Sequence, residues 1–169
     1  MVKTVVVPTD GSEDMEQVLS IAVDIARTME AKIYGIYVVD LTPFIDFPED
    51  EVVQSIKAKL YEEGWNALRT LEKFCKERGN EVEVLIEEGN PAEKIIKIAK
   101  KLKADLIVMG TRHSSTDEFL PSFTTTEKLS GEIASIGRAL SRKLFGSTAE
   151  KVIEGAHCDV LAVPIFKED

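Results

Sequence analysis

The chain has 169 residues, of which 44% are hydrophobic and 30% are charged. This length and composition predict one globular domain spanning residues 1–169, large enough to bury about two-thirds of the surface that its unfolded chain exposes. Its 30 acidic side chains outnumber 21 basic ones and give a formal charge of −9, which argues against a protein that coats nucleic acid or an anionic membrane.

The first half of the chain alternates β-branched runs with helical periods. Residues 2–7 are almost continuously apolar, which predicts a strand covered on both faces. From Met15 to Met29 the apolar residues follow the i, i+3, i+4 spacing of a helix, and residues 33–39 predict a second strand. A Pro-punctuated loop then leads to a long amphipathic helix that carries residues 53–75 and ends near Gly79.

The second half continues the alternation. Val82, Val84 and Ile86 alternate with the acidic residues Glu81, Glu83 and Glu87, except for Leu85 between the last two apolar positions, which predicts a strand with one solvated face or a place near a sheet edge. Asn90 as N-cap, Pro91 at N1 and Glu93 at N3 favour a helix start, and residues 105–109 predict the next strand. The last helix begins at Ser147 in an S-x-x-E capping box, and the last strand follows at residues 159–165.

Five strands joined by four crossover helices predict an open, doubly wound, five-stranded parallel sheet with helices on both faces. One segment departs from the alternation. We interpret residues 111–136 as an inserted loop and helix within the domain, because a Ser/Thr-rich stretch is followed by a second capping box at Thr124 and Glu127.

The composition also indicates a compartment and limits the chemistry. The apolar runs are far shorter than the roughly 18 residues that span a bilayer, and no apolar signal segment follows Met1, so we expect a cytoplasmic protein. Cys75 and Cys158 are too far apart in sequence to suggest a redox dithiol or a zinc knuckle, and both are predicted to be small buried hydrophobes.

Ligands of an open parallel sheet lie outside the carboxyl ends of its strands, so the residues that follow each strand are the candidates for a site. Small and glycine-rich residues allow backbone N–H groups to approach an anion, and a helix N-terminus adds partial positive charge. A phosphate site is therefore predicted at this edge. Its candidate segments are Pro8-Thr9-Asp10-Gly11-Ser12, Val38-Val39-Asp40, Gly89-Asn90, Met109-Gly110-Thr111-Arg112-His113 and, at the start of the last helix, Gly146-Ser147-Thr148.

Each segment also has a purely structural interpretation. Asp10-Gly11-Ser12 could form only a turn and an N-cap, Gly146-Ser147 only a turn and a capping box, and Arg112 and His113 only a solvated loop. The chain contains no Walker A motif, no G-x-G-x-x-G after its first strand, no G-x-S-x-G elbow and no H-E-x-x-H, which removes several common enzyme classes.

These residues together resemble the universal stress protein family, small α/β proteins many of whose members bind ATP. The resemblance covers most of the chain and implies a Rossmann-like, adenine nucleotide alpha hydrolase-like fold. It rests on six blocks: residues 5–12 with the D-G-S turn, Tyr37-Val38-Val39-Asp40, Gly89-Asn90-Pro91-Ala92, and residues 104–110, 146–152 and 158–164.

The resemblance also implies roles for individual residues. In nucleotide-binding members a G-x2-G-x9-G-[ST] motif holds the phosphates; Gly110 matches its first glycine and Gly146-Ser147 its final pair, while His113 replaces the middle glycine. The outer glycines are 36 positions apart here, which implies an insertion of about 23 residues. The entropic cost of closing a loop grows only slowly with its length, so both ends of the motif can still meet. Asp10 would face the ribose or adenine, Val38 would line the adenine pocket, and Pro8 and Thr9 would border it.

The sequence leaves three hypotheses for the function. The first is an adenine-nucleotide (ATP or AMP) binding protein, with or without magnesium, in a stress-response or regulatory role, as a homodimer or higher homo-oligomer paired through the C-terminal strand. The second is a non-nucleotide interaction module whose insertion closes the pocket or makes subunit contacts. The third, a phosphoryl-transfer enzyme with Asp10 and Asp40 holding magnesium and His113 as base, needs geometry that the sequence does not supply, so a non-enzymatic role is expected.

Overall fold

Strands and helices alternate along the chain in the computed structural model, which describes residues 1–112 and 146–165. The strands are β1 (Thr4–Pro8), β2 (Lys32–Val39), β3 (Val82–Glu88), β4 (Leu106–Arg112) and β5 (Asp159–Ile165). The helices are α1 (Met15–Met29), α2 (Glu51–Glu77), α3 (Pro91–Lys101) and α4 (Gly146–Gly155), and a 3-10 turn at Thr42–Phe44 precedes α2.

The five strands form one parallel sheet in the order β3-β2-β1-β4-β5. The chain therefore winds outward from β1 in both directions, first through β2 to β3 and then through β4 to β5. Each pair is in parallel register, for example Val6 opposite Tyr34 of β2 and Ile107 of β4. The predicted doubly wound five-stranded sheet is confirmed.

The core lies on both faces of the sheet, and the central strand β1 is therefore buried. Val5, Val6 and Val7 have no exposed surface. Val5 and Val7 pack under α1, whereas Val6 packs on the opposite face with side chains of α3 and α4. Three consecutive apolar residues are needed here because successive side chains of a strand point to opposite faces.

Helix α3 begins as its sequence predicts. Asn90 is the N-cap, and its side-chain oxygen accepts a hydrogen bond from the N–H of Glu93 at 3.1 Å. Pro91 occupies the first turn, where a missing N–H costs nothing. This cap fixes the first turn of α3 just beyond the end of β3.

Several boundaries differ from the predicted ones. β1 begins at Thr4 rather than at residue 2, and α4 begins at Gly146, one residue before the predicted Ser147. β4 continues three residues past Met109 to Arg112, because Gly110, Thr111 and Arg112 pair with Val163, Pro164 and Ile165 of β5. Thr111 and Arg112 thus belong to the sheet, and the rest of the predicted insertion lies outside the described residues.

β3 occupies a sheet edge, as its alternating sequence predicts, and its residues are half-buried or exposed. Within the two described ranges, no helix is long and apolar enough to cross a membrane.

Candidate functional site

A cleft opens where the carboxyl ends of β1, β2 and β4 face the first turns of α3 and α4. Its volume is about 640 Å³, part of it open to solvent. Most of its wall is aliphatic or aromatic, with a few polar side chains, which is the usual composition of a small-molecule pocket. The lining residues are Pro8, Thr9, Asp10, Met15, Ile36, Tyr37, Val38, Pro91, Ile95, Met109, Gly110, Thr148 and Ile165.

Residues predicted from separate parts of the sequence meet in this cleft. Those that line it are Pro8, Thr9, Asp10, Val38, Met109, Gly110 and Thr148. They come from four different segments, which the parallel topology brings to one edge of the sheet.

For three of the remaining predicted residues, the structure describes the backbone but not the side chain. The backbone of Arg112 ends β4, and the backbones of Gly146 and Ser147 form the first turn of α4. Their side chains, and the whole of His113, lie outside the part of the chain that the structure describes.

Side chains hold the turn after β1 in place. The N–H of Ser12 donates to Asp10 Oδ1 at 2.9 Å, and the N–H of Gly11 donates to Thr9 Oγ1 at 3.1 Å. Gly11 has a φ of 78°, a conformation that glycine adopts without strain. The N-cap of α1 is Asp14 rather than Ser12, so the turn and the helix start are separate features.

The described lining carries one carboxylate, that of Asp10, and no lysine or arginine. Burial, and after it the carboxylates of Glu63 and Asp10, raises the pKa of the Tyr37 phenol above its ordinary value, so its hydroxyl stays protonated. Thr148 is buried at the first turn of α4. This part of the cleft therefore suits an uncharged ligand moiety that donates hydrogen bonds to Asp10.

Gly110 has a packing role in addition to its place in the cleft wall. A Cβ at this position would lie 2.6 Å from Ile165 Cδ1 and 3.3 Å from Val18 Cγ2. A side chain there would force the Ile165 side chain to move and would crowd Val18.

Part of the wall is formed by residues that the sequence did not predict: Met15, Ile36, Tyr37, Pro91, Ile95 and Ile165. Ile36 and Tyr37 directly precede the predicted Val38, and Pro91 and Ile95 are one helical turn apart after the predicted cap. Nothing local in the sequence marks Met15 or Ile165, because they reach the cleft through the packing of α1 and β5.

Both carboxylates that were weighed as magnesium ligands accept hydrogen bonds from backbone N–H groups. Asp40, which was weighed with Asp10 as a magnesium ligand, is buried, and its Oδ1 accepts a hydrogen bond from the N–H of Thr42 at 2.9 Å. Within these residues, no group of three or more His, Cys, Asp or Glu side chains is placed to hold a metal ion.

The chain is similar to known proteins over nearly its whole length. A model of the universal stress protein family matches residues 1–129 and 133–164. A universal stress protein of Methanocaldococcus jannaschii is 37% identical over 167 residues, which cover 99% of this chain and 85% of that protein.

Solved structures have the same fold. The universal stress protein UspA from Lactobacillus plantarum superposes with a TM-score of 0.72 at 22% identity, covering 96% of this chain and 97% of that one. A universal stress protein solved in complex with cAMP has a TM-score of 0.62 at 23% identity, with 98% of each chain covered. One from Archaeoglobus fulgidus, solved in complex with dAMP, has a TM-score of 0.58 at 22% identity, covering 96% of this chain and 98% of that one.

The family model spans most of the chain, and the Methanocaldococcus relative exceeds 30% identity along almost all of it. This protein therefore belongs to the universal stress protein family.

Proposed function

We propose that this protein binds an adenine nucleotide in the cleft at the carboxyl ends of β1, β2 and β4, and that it serves a stress-response or regulatory role in the cytoplasm. The observation that carries the proposal is the convergence there of Asp10, Val38, Gly110 and Thr148 from four separate segments. Two structures of similar fold, solved with cAMP and with dAMP, support an adenine nucleotide as the ligand class.

The chemistry of the cleft suggests an orientation for the ligand. The apolar wall formed by Ile36, Val38 and Ile95 suits a planar base, and Asp10 suits the hydroxyl groups of a ribose. The first turn of α4 directs backbone N–H groups toward anions, so the phosphates would lie beside Thr148. Any magnesium ion would arrive with the phosphates.

Thermal unfolding in the presence of ATP, ADP, AMP and cAMP, with and without magnesium, tests the proposal. A ligand at 100 times its Kd stabilises a folded protein by about 2.7 kcal/mol, which gives a measurable rise in Tm. A Tm unchanged by all four nucleotides would contradict nucleotide binding.

Asp10→Asn tests the site itself. The amide keeps an oxygen that can accept the Ser12 N–H, so the turn is expected to survive while the charge is lost. We expect nucleotide affinity, measured by calorimetry, to fall about ten-fold or more. Asp24→Asn, an equal change on the exposed face of α1, is the control and should bind as the native protein does.

A phosphate-release assay distinguishes binding of ATP from its hydrolysis. We propose a binding protein, and therefore expect no release of phosphate from ATP above the level of an Asp10→Ala variant. Rapid turnover that this substitution abolishes would instead favour phosphoryl transfer.

We also propose that two copies pair along β5, the edge strand opposite β3. Its Leu161 is 37% exposed, and Ile153 of the neighbouring α4 is exposed as well. Leu161→Glu should convert a dimer to a monomer in native mass spectrometry, whereas Ile21→Glu, at a similar exposure of 38% on α1, should not. A dimer that survives Leu161→Glu would exclude this interface.

A further inference from the structure

The outer side of β3 presents backbone groups that no other described strand uses. The N–H of Ile33 donates to the carbonyl of Glu81 at 2.9 Å, and the N–H of Gly89 donates to the carbonyl of Val39 at 3.0 Å. Odd-numbered residues of β3 therefore direct their N–H and C=O groups toward β2. Since the direction alternates along a strand, Val82, Val84, Ile86 and Glu88 direct theirs outward.

Helix α2 runs close beside this edge. The hydroxyl of Tyr61 donates to Glu88 Oε2 at 2.6 Å, and a Cβ at Gly64 would lie only 2.9 Å from Ile86 Cδ1. Trp65 lies one turn beyond Tyr61 on the same stripe of the helix and is 40% exposed. Two aromatic side chains thus lie on the α2 side of the open edge.

The opposite face of the edge is acidic. Glu81, Glu83 and Glu87 share this face with Leu85. Lys32 of β2 neutralises part of their charge through contacts with Glu81 at 3.2 Å and Glu83 at 3.0 Å. Glu87 is half-buried at the far end of the strand. A lysine or arginine side chain on an added strand would find a carboxylate opposite it.

A second copy of β3 fits this edge poorly. Antiparallel pairing of two β3 strands about Leu85 would place Glu83 of one copy opposite Glu87 of the other, and like charges directly opposite each other destabilise a strand pair. The same carboxylates favour a strand of opposite charge.

We propose that the β3 edge binds an extended basic segment of another protein by strand addition, a site independent of the nucleotide cleft. Main-chain hydrogen bonds would form with Val84 and Ile86, lysine or arginine side chains would lie beside Glu83 and Glu87, and the alternating apolar side chains would contact Tyr61 and Trp65. The segment is recognised by its alternation of basic and apolar residues.

A fluorescently labelled peptide that alternates lysine with valine is the probe, and one that alternates glutamate with valine is its control. We expect the lysine peptide to bind the full-length protein in an anisotropy titration and to slow amide exchange at Val84 and Ile86. N-methylation of alternate peptide nitrogens on the strand-forming edge should weaken binding more than ten-fold.

Glu87→Lys tests the charge complementarity. The substitution replaces an opposite-charge cross-strand pair with a like-charge pair. The affinity for the lysine peptide should fall about five- to ten-fold, and the affinity for the glutamate peptide should rise. Glu154→Lys makes the same change in net charge on exposed α4, away from β3, and should leave both affinities unchanged.

Three results would overturn the proposal: no binding of the lysine peptide, binding that N-methylation does not weaken, or equal weakening by Glu87→Lys and Glu154→Lys. The second and third would show a diffuse attraction between opposite charges. None of them bears on the nucleotide cleft.

Discussion

At the scale of single residues, carboxylates organise the backbone at both ends of the sheet. Asp10 holds the turn at the carboxyl end of β1, and Asp105 holds the chain at the start of the same strand. Asp105 Oδ2 accepts hydrogen bonds from the N–H groups of Lys3 at 2.8 Å and Thr4 at 3.0 Å. These two N–H groups lower the pKa of Asp105 below its ordinary value.

Asp105→Ala should lower the free energy of unfolding at neutral pH by about 1 kcal/mol, because two hydrogen bonds to a mostly solvated carboxylate are lost. Since the pKa of Asp105 is lower in the folded chain than the value of about 3.9 expected when unfolded, its contribution is present above that value and lost as the pH falls through the folded pKa. Urea unfolding of both proteins across the acid range measures this.

Asp24→Ala provides the comparison for that measurement. Asp24 pairs with Arg27 at 3.3 Å on an exposed surface. Its removal should therefore change the free energy of unfolding by less than about half of the Asp105→Ala change. If the loss of unfolding free energy in Asp105→Ala stayed constant down to acidic pH, the lowered pKa of Asp105 would not contribute to stability.

At the scale of elements, three helices end in the same way. The N–H groups of Ala31, Asn80 and Ala104 donate to the carbonyls of Ala26, Cys75 and Ala99, five residues earlier, as in a Schellman motif. The left-handed residue is Gly79 after α2, but Glu30 after α1 and Lys103 after α3. Gly79 allows the sequence to predict a helix end, whereas Glu30 and Lys103 give no such signal because charged residues do not favour this conformation.

Lys103→Gly should therefore raise the free energy of unfolding by roughly 1 kcal/mol, because it removes the strain of a side chain at a φ of 52°. Lys97→Gly, at an exposed position inside α3, should lower it by about the same amount. Chemical denaturation of both variants tests the pair. If Lys103→Gly were as destabilising as Lys97→Gly, the left-handed backbone at this position would carry no cost.

At the scale of the whole molecule, the number of strands and their parallel, doubly wound arrangement could be predicted because each element is strongly patterned, whereas the order β3-β2-β1-β4-β5 is a finding of the structure. The same order explains why Asp10, Val38 and Gly110 meet in the cleft. Ile165 could not be assigned to the cleft from sequence, because its position depends on the extension of β4 to Arg112 and on the contact with Gly110. Side-chain packing between distant elements leaves no periodic mark in the sequence.

The two thiols offer a measure of global stability. Cys75 is fully buried in the core, and burial raises its pKa to about 11, whereas Cys158 is partly exposed. In Cys158→Ser, labelling of Cys75 by a thiol reagent should be limited by unfolding and should speed up with urea as the unfolded population grows. Labelling of Cys75 that is fast and independent of urea would reveal local opening between α2 and the sheet.

The chain contains one tryptophan, Trp65, and it lies on α2 rather than in the described wall of the cleft. Its indole is partly in contact with water, so its emission wavelength is sensitive to whatever covers the β3 side of the molecule. A strand added to that edge would move the emission to shorter wavelength, whereas a nucleotide in the cleft, whose described lining does not include Trp65, would leave the indole hydrated. The native protein thus carries an intrinsic optical signal that distinguishes its two proposed ligands without any label.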